Sequence, residues 1–238
     1  MEWLDTLGIN QYSKTVPYRI LPLVNGECYH IYNRGAARQP TFSSKRDYER
    51  FLSCLLYYRF NNSPFKLSRL LQISKNERDQ ILLNLESRQD FAIEIVAYCL
   101  MPNHFHILIK QITDKGISTF MKLVTDSYTR YYNTKHDRLG PLFQGAFKAV
   151  RIETNEQLIH VSRYIHLNPL VSYVVRDDEL LYYPWSSLMD YLNGRHSFVN
   201  SQSVISNFKT SKNYQEFVLN QIDYGKELEK IKHLTLES

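Results

Sequence analysis

The chain predicts an α+β fold, an antiparallel sheet with helices on one face. Three observations carry this. Apolar and polar residues alternate with period two over Glu27 to Asn33 and His104 to Lys110. Apolar stripes at helical spacing run through Lys45 to Phe60 and Gly116 to Thr134. Pro102-Asn103 separates two strand-like runs and makes them a hairpin. At 238 residues, 43% hydrophobic and 22% charged, the chain is long enough for one good core and a small appendage.

Residues 1–25 lack periodicity, contain Pro17 and Pro22, and read as an N-terminal extension. Glu27 to Asn33 is the first strand, closed by Arg34-Gly35. Ser43-Ser44 offers an N-cap to a helix striped by Tyr48, Phe51, Leu52, Leu55 and Leu56. Asn61 to Asp90 is polar and longer than an ordinary connection, so it reads as a peripheral insertion with a helix near Asn76 to Glu86. Phe91 to Leu100 is the second strand and the histidine strand the third. The segment from Gly116 to Thr134 has apolar or aromatic residues at Ile117, Phe120, Met121, Leu123, Val124, Tyr128 and Tyr131 and reads as a helix packing on the sheet. Arg138 to Gly145 is a tight loop, and Ala146 to Ile152 a fourth strand. Thr154 opens the next helix, with Gln157 completing a capping box. The order strand, helix, strand, strand, helix, strand, helix is that of the ferredoxin-like fold and of the RNA-recognition architecture. This core spans 26–175. Helical elements over Leu180 to Leu192 and Ser211 to His233 form a C-terminal extension, 176–238.

The candidate site begins on the third strand, His104-Phe105-His106-Ile107-Leu108-Ile109. Successive strand side chains point to opposite faces, so Phe105, Ile107 and Ile109 share one face and His104 and His106 the other. Two neighbouring imidazoles can bind one divalent cation and keep positions open for water or a phosphate oxygen. The plain alternative is a half-buried strand that happens to carry two histidines.

A second constellation lies on the helix after Thr154. At 100° per residue Leu158, Val161, Ser162 and Ile165 form its buried arc, and Gln157, His160, Tyr164 and Asn168 lie along the border. Tyr164 and Asn168 are neighbours at i and i+4. If they stand over the imidazole pair, Asn168 becomes a third, oxygen-type ligand and Tyr164 faces a bound phosphate. Pro169 predicts that the helix ends at Asn168. Read from the residues alone, Tyr164 is equally a rim tyrosine, Asn168 a helix stop, and Tyr128, Tyr131 and Tyr132 rival phenols. His166 falls off the Tyr164 face and is left out of the site.

Three motifs in order, Met101-Pro102-Asn103-His104-Phe105-His106, Tyr164-Ile165-His166-Leu167-Asn168-Pro169 and Pro184-Trp185-Ser186-Ser187, resemble those of the HUH single-tyrosine transposases, and within them the REP-associated tyrosine transposases. The resemblance spans roughly Gly26 to Tyr191. It implies a ferredoxin-like catalytic core, Tyr164 as nucleophile, His104, His106 and Asn168 as ligands of Mg²⁺ or Mn²⁺, and single-stranded or hairpin DNA as substrate. The insertion-sequence relatives carry Gln where this chain has Asn168; the REP-associated group carries Asn. The implied reaction is DNA cleavage through a covalent 5′-phosphotyrosine that frees a 3′-OH and later rejoins strands. A cation beside the phenol offsets its ordinary pKa of about 10.

DNA contacts are expected from Arg130, Arg138, Lys148, Arg151 and Arg163, which flank the site in sequence, and from Phe143 and Gln144 in the loop between them. The net charge of +5 permits a polyanion partner without requiring one. No run is apolar enough to cross a bilayer, and Cys28, Cys54 and Cys99 have no paired spacing, which points to free thiols in a cytoplasmic protein. Both monomeric and homodimeric forms fit the resemblance. Two other functions remain open at this point, a metal-dependent nuclease that activates water and a non-catalytic nucleic-acid-binding module.

Overall fold

The computed structural model describes residues 22–194 and 198–222. Four strands, β1 (Cys28–Arg34), β2 (Ile93–Met101), β3 (His104–Gln111) and β4 (Lys148–Ile152), form one sheet in the order β2-β3-β1-β4. All neighbours are antiparallel. Helix α1 (Lys45–Tyr58) joins β1 to the second strand, and α2 (Leu67–Leu70) and α3 (Lys75–Ser87) occupy the insertion. Helix α4 (Gly116–Lys135) crosses from β3 to β4, and α5 (Asn155–Val171) follows β4. The chain then forms α6 (Leu188–Asn193), α7 (Gln202–Ile205) and α8 (Ser211–Leu219). This is the expected ferredoxin-like order with helices added to its C-terminal side.

Alternation along the strands divides the interior into two cores. Ile31, Phe105, Ile107 and Ile109 face α1 and α4 and meet Phe51, Leu55, Val124 and Tyr128. Leu108, Val96, Cys99 and Met101 face α5 and meet Leu158, Ile165 and Leu170, with Tyr191 and Tyr214 from the C-terminal helices. The expected layer of helices on one face holds for α1 and α4, but the second face is covered as well. Its apolar residues would otherwise lie in water, at a cost of roughly 25 cal/mol per Å².

The hairpin turn at Pro102-Asn103 is pinned from outside: Thr41 N (2.8 Å) and Phe42 N (3.0 Å) donate to Pro102 O, and Gly35 N (2.8 Å) donates to Asn103 O. The insertion is tied at its base, where Asn61 Nδ2 donates to Asp90 Oδ1 at 2.6 Å. Of the expected N-terminal extension only residues 22–25 fall within the described residues; Gln111 Nε2 donates to Leu23 O at 2.8 Å. The helix expected from Ser211 is described to Leu219, and its expected continuation through residues 223–233 lies outside the described residues. Among the described residues no helix is long and apolar enough to cross a membrane.

Candidate functional site

Register decides which side chains meet. Across β1 and β3, Tyr32 is paired with His106, Arg34 with His104 and His30 with Leu108. Tyr32 is also paired with Lys148 on β4. Cross-strand partners share a face, so His30, Tyr32, Arg34, His104, His106 and Lys148 lie on the side covered by α5.

The two histidines stand with ring centroids 5.1 Å apart and planes at 86°. His104 Nδ1 is 2.7 Å from Asn103 Oδ1, and Asn103 Nδ2 donates to Arg38 O at 3.4 Å, which fixes the amide. An amide oxygen only accepts and a neutral imidazole has one N–H, so the shorter of the ring's two amide contacts, that to Asn103, assigns the proton to Nδ1 and the lone pair to Nε2. That Nε2 lies 3.2 Å from Asn168 Oδ1. Two lone-pair atoms facing each other at this distance are disposed as co-ligands of a cation. Among the described residues no group of three His, Cys, Asp or Glu side chains is placed to hold a metal. The residues present fit a donor set of two imidazoles and one amide oxygen, which suits Mn²⁺ better than the harder Mg²⁺.

Helix α5 supplies the rest. Thr154 Oγ1 accepts from Gln157 N at 3.1 Å. Gln157 Oε1 accepts from Glu153 N at 2.8 Å, one residue before the position a capping box requires, so only half of the expected box forms. With Leu158, Ser162 and Ile165 buried, Tyr164 emerges at the rim, 38% exposed. Its ring stands edge-on to His106 (5.4 Å, 82°) and to His30 (5.9 Å, 74°). The helix does not stop at Asn168 but continues to Val171. Proline removes one hydrogen bond here, while burial of Leu170 and Val171 in the second core holds the last turn in place. Asn168 is therefore a helical residue, 3% exposed.

His30 is the residue the sequence reading missed. Its Nε2 lies 2.9 Å from His106 Nδ1, with the ring centroids 5.1 Å apart and the planes at 27°. Burial pushes its pKa down to about 4, so it is neutral at pH 7, with one donor and one acceptor nitrogen. The signal was the alternation of β1, which puts His30, Tyr32 and Arg34 on one face; only the pairing of β1 with β3 shows which face that is.

The expected DNA-contacting residues separate in space. Lys148 lies on the site face, its Nζ 6.0 Å from the Tyr32 ring. Gln144 is near it in sequence and accepts from Arg34 Nε at 2.6 Å. The others do not gather here. Phe143 is 6% exposed and packs against Phe51 and Phe105 in the first core, so no base can stack on it. Arg151 is paired with Tyr29 on the opposite face and bridges Glu27 at 3.0 Å. Arg130 lies on α4, across the sheet, in a groove shared with Arg50 and Lys66. Arg138 braces its own loop, donating to Gln39 Oε1 and Asn133 Oδ1 at 2.9 Å each. Arg163 lies over the Phe217 ring at 4.1 Å, fastening α8 to α5.

His166 points away from Tyr164, as expected, into a fully buried polar cluster. Its Nδ1 is 2.7 Å from Tyr214 Oη and its Nε2 2.8 Å from Ser187 Oγ. Burial pushes its pKa down to about 3. Ser187 N also donates to Tyr98 O at 3.0 Å and Leu100 N to Trp185 O at 2.9 Å. The Pro184 to Ser187 motif thus lies along the outer edge of β2 and joins that edge to α5.

Residues 71–168 match the family described as Transposase IS200 like. The matched segment contains both site histidines and Tyr164 and ends on Asn168. No curated protein matches the chain. Among solved structures, that of the REP-associated tyrosine transposase bound to a REP hairpin is similar at a TM-score of 0.51 and 15% identity, over 82% of this chain and 96% of that one. The resemblance is thereby shown in sequence over 71–168 and in fold over most of the chain.

Proposed function

We propose that the protein cleaves and rejoins single-stranded DNA through a covalent bond to Tyr164, with hairpin-bearing strands as its substrate class. The observation that carries this is the convergence on one face of Tyr164, edge-on to His106, with Asn168 Oδ1 3.2 Å from His104 Nε2. The family match over the same residues and the hairpin-bound structural neighbour support it.

In this reading the Tyr164 oxygen attacks the phosphorus of a backbone phosphodiester. The bond from phosphorus to the 3′ oxygen breaks, the phenol gives up its proton and the departing oxygen ends as a 3′-OH. The ester energy is kept in a 5′-phosphotyrosine, so the same 3′-OH, or another, can reverse the step without an external energy source. His104, His106 and Asn168 would hold a divalent cation, which when bound polarises the scissile phosphate. The ring packing of Tyr164 against His106 and His30 fixes its approach, and its exposed edge admits the strand. Lys148 and Arg34 border this face and would neutralise backbone phosphates.

The test is denaturing gel analysis of 5′- and 3′-labelled hairpin strands with Mn²⁺, followed by mass spectrometry of the peptide holding residue 164. A DNA adduct on Tyr164, absent in Tyr164→Phe, is expected. Cleavage that survives in Tyr164→Phe would mean that water is the nucleophile, and an adduct on Tyr128, Tyr131 or Tyr132 would identify a different phenol.

A further inference from the structure

The two site histidines are held differently from behind. His104 has Asn103 Oδ1 at its Nδ1, 2.7 Å away, a nearer acceptor for its proton than Asn168 Oδ1 at Nε2, 3.2 Å away. At the corresponding nitrogen of His106, Nδ1, it is His30 Nε2 that lies within hydrogen-bond distance, at 2.9 Å. An imidazole is ambiguous in a way an amide oxygen is not. The hydrogen bond between the rings can be written with the proton on either nitrogen, and the two versions leave His106 with opposite tautomers.

We propose that His30 is a positioning residue that accepts the Nδ1 proton of His106 and so keeps the lone pair of His106 on Nε2, as Asn103 does for His104. This rests on the reading of His104, His106 and Asn168 as ligands. With His106 Nδ1 against His30, Nε2 is the nitrogen through which that ring can bind a cation. His30 has no place in any motif of the chain. It enters because β1 pairs with β3 in the register Tyr32 with His106, which sets His30 diagonally behind that ring. The two rings lie end to end with 27° between planes, the arrangement a bond between ring nitrogens requires. His30 also touches Tyr164, so one side chain spaces the histidine from the phenol. Partners behind a ligating histidine fix its tautomer and ring orientation, and their loss typically weakens metal affinity about 10- to 100-fold.

The experiment uses the full chain with ¹⁵N-labelled histidine and no metal. Long-range ¹H–¹⁵N spectra separate Nδ1–H from Nε2–H imidazoles, and His106→Ala assigns the His106 signals. Wild type should show His106 as the Nδ1–H form. His30→Leu should convert it to a mixture, and His30→Gln, whose amide oxygen can accept the same proton, should restore it. Calorimetry with Mn²⁺ should show affinity about tenfold or more weaker in His30→Leu and recovered in His30→Gln. An Nε2–H His106 in the wild type, or a tautomer unmoved by His30→Leu, overturns the proposal. An Nδ1–H His106 in a wild type that binds no Mn²⁺ supports the role of His30 and overturns the ligand reading instead.

Discussion

One sheet presents two faces built on different principles. Toward α1 and α4 the inward residues are mostly apolar, and aromatic rings interlock: Phe51 meets Phe42, Phe105, Tyr128 and Phe143. Toward α5 the same strands divide the surface. One end, Val96, Cys99 and Leu108, is core; the other, His30, His104 and His106, is polar and meets Tyr164 and Asn168. On the first face many contacts do one job, so each position carries stability. On the second, the proposed chemistry would rest on a few atoms, whose removal should leave packing largely intact.

The largest expected effect tests that separation. His104→Ala or His106→Ala should lower cleavage by about a thousandfold or more, since several kcal/mol of charge stabilisation would be lost. Thermal stability should shift little. A variant that unfolds at ordinary temperature would mean that this end of the face is core after all.

On the opposite face the dissociation should reverse. Phe51→Ala removes a fully buried ring and should cost ~3–5 kcal/mol in denaturant unfolding. Cleavage per folded molecule should be unchanged. Activity lost out of proportion to folded protein would show that the two faces communicate through the sheet.

Between these extremes lies the His166 cluster, structural yet built on the helix that carries Tyr164. His166→Leu takes one of their partners each from Tyr214 Oη and Ser187 Oγ and should cost ~1–3 kcal/mol. Adduct yield should fall less than in the site variants. Equal losses in adduct yield would place His166 among the groups that set the nucleophile.

The rim of the apolar face offers a pH readout. Burial pushes the Asp47 carboxyl up, but Lys135 Nζ (2.6 Å) and Ser43 N (2.9 Å), with Ser44, outweigh it and hold it below its usual value. A depressed folded pKa contributes stability above the unfolded pKa of about 3.9, lost as pH falls through the folded value. Wild type should therefore be more stable than Asp47→Asn at pH 7, with the difference shrinking as the pH drops below about 4. A difference that grows on acidification would reverse the assignment.

The smallest effect distinguishes two cations on one strand. Lys148 and Arg151 are an odd number of positions apart, so they face opposite ways. Lys148→Ala should lower the salt slope of single-strand binding by about 0.7, and Arg151→Ala should leave it unchanged. Equal slopes for both would mean that DNA wraps the edge of the sheet.

Much of this site was legible before the fold was known. The hairpin, the histidine face and the Tyr164 and Asn168 border follow from periods of two and 3.6. Periodicity tells which residues of an element travel together; it does not tell which element they meet. His30 was lost for that reason, since its meeting with His106 depends on the pairing of β1 with β3. The basic residues failed differently: nearness in sequence stood in for nearness in space, although strand alternation already separated Arg151 from Lys148. Phe143 sits in a loop by sequence but fills the core between Phe51 and Phe105, a tertiary outcome with no local signature. Pro169 marked a stop that packing of Leu170 and Val171 overrode.

The short turn at Pro102-Asn103 bears on how such a protein can change over time. Held from three sides by Thr41, Phe42 and Gly35, it sets the phase of β3. One residue gained or lost there would rotate the strand by half its period, sending both imidazoles among the phenylalanines and Phe105 and Ile107 out beneath Tyr164. The insertion between Asn61 and Asp90, gathered at its base by those two residues, sets no strand's phase, so its exposed turns can change length so long as Leu67, Leu70 and Leu85 keep their places in the first core. Two surface connections of one domain thus have different histories open to them: one can drift in length at its exposed turns, and the other is confined to the spacing that keeps both imidazoles beneath Tyr164.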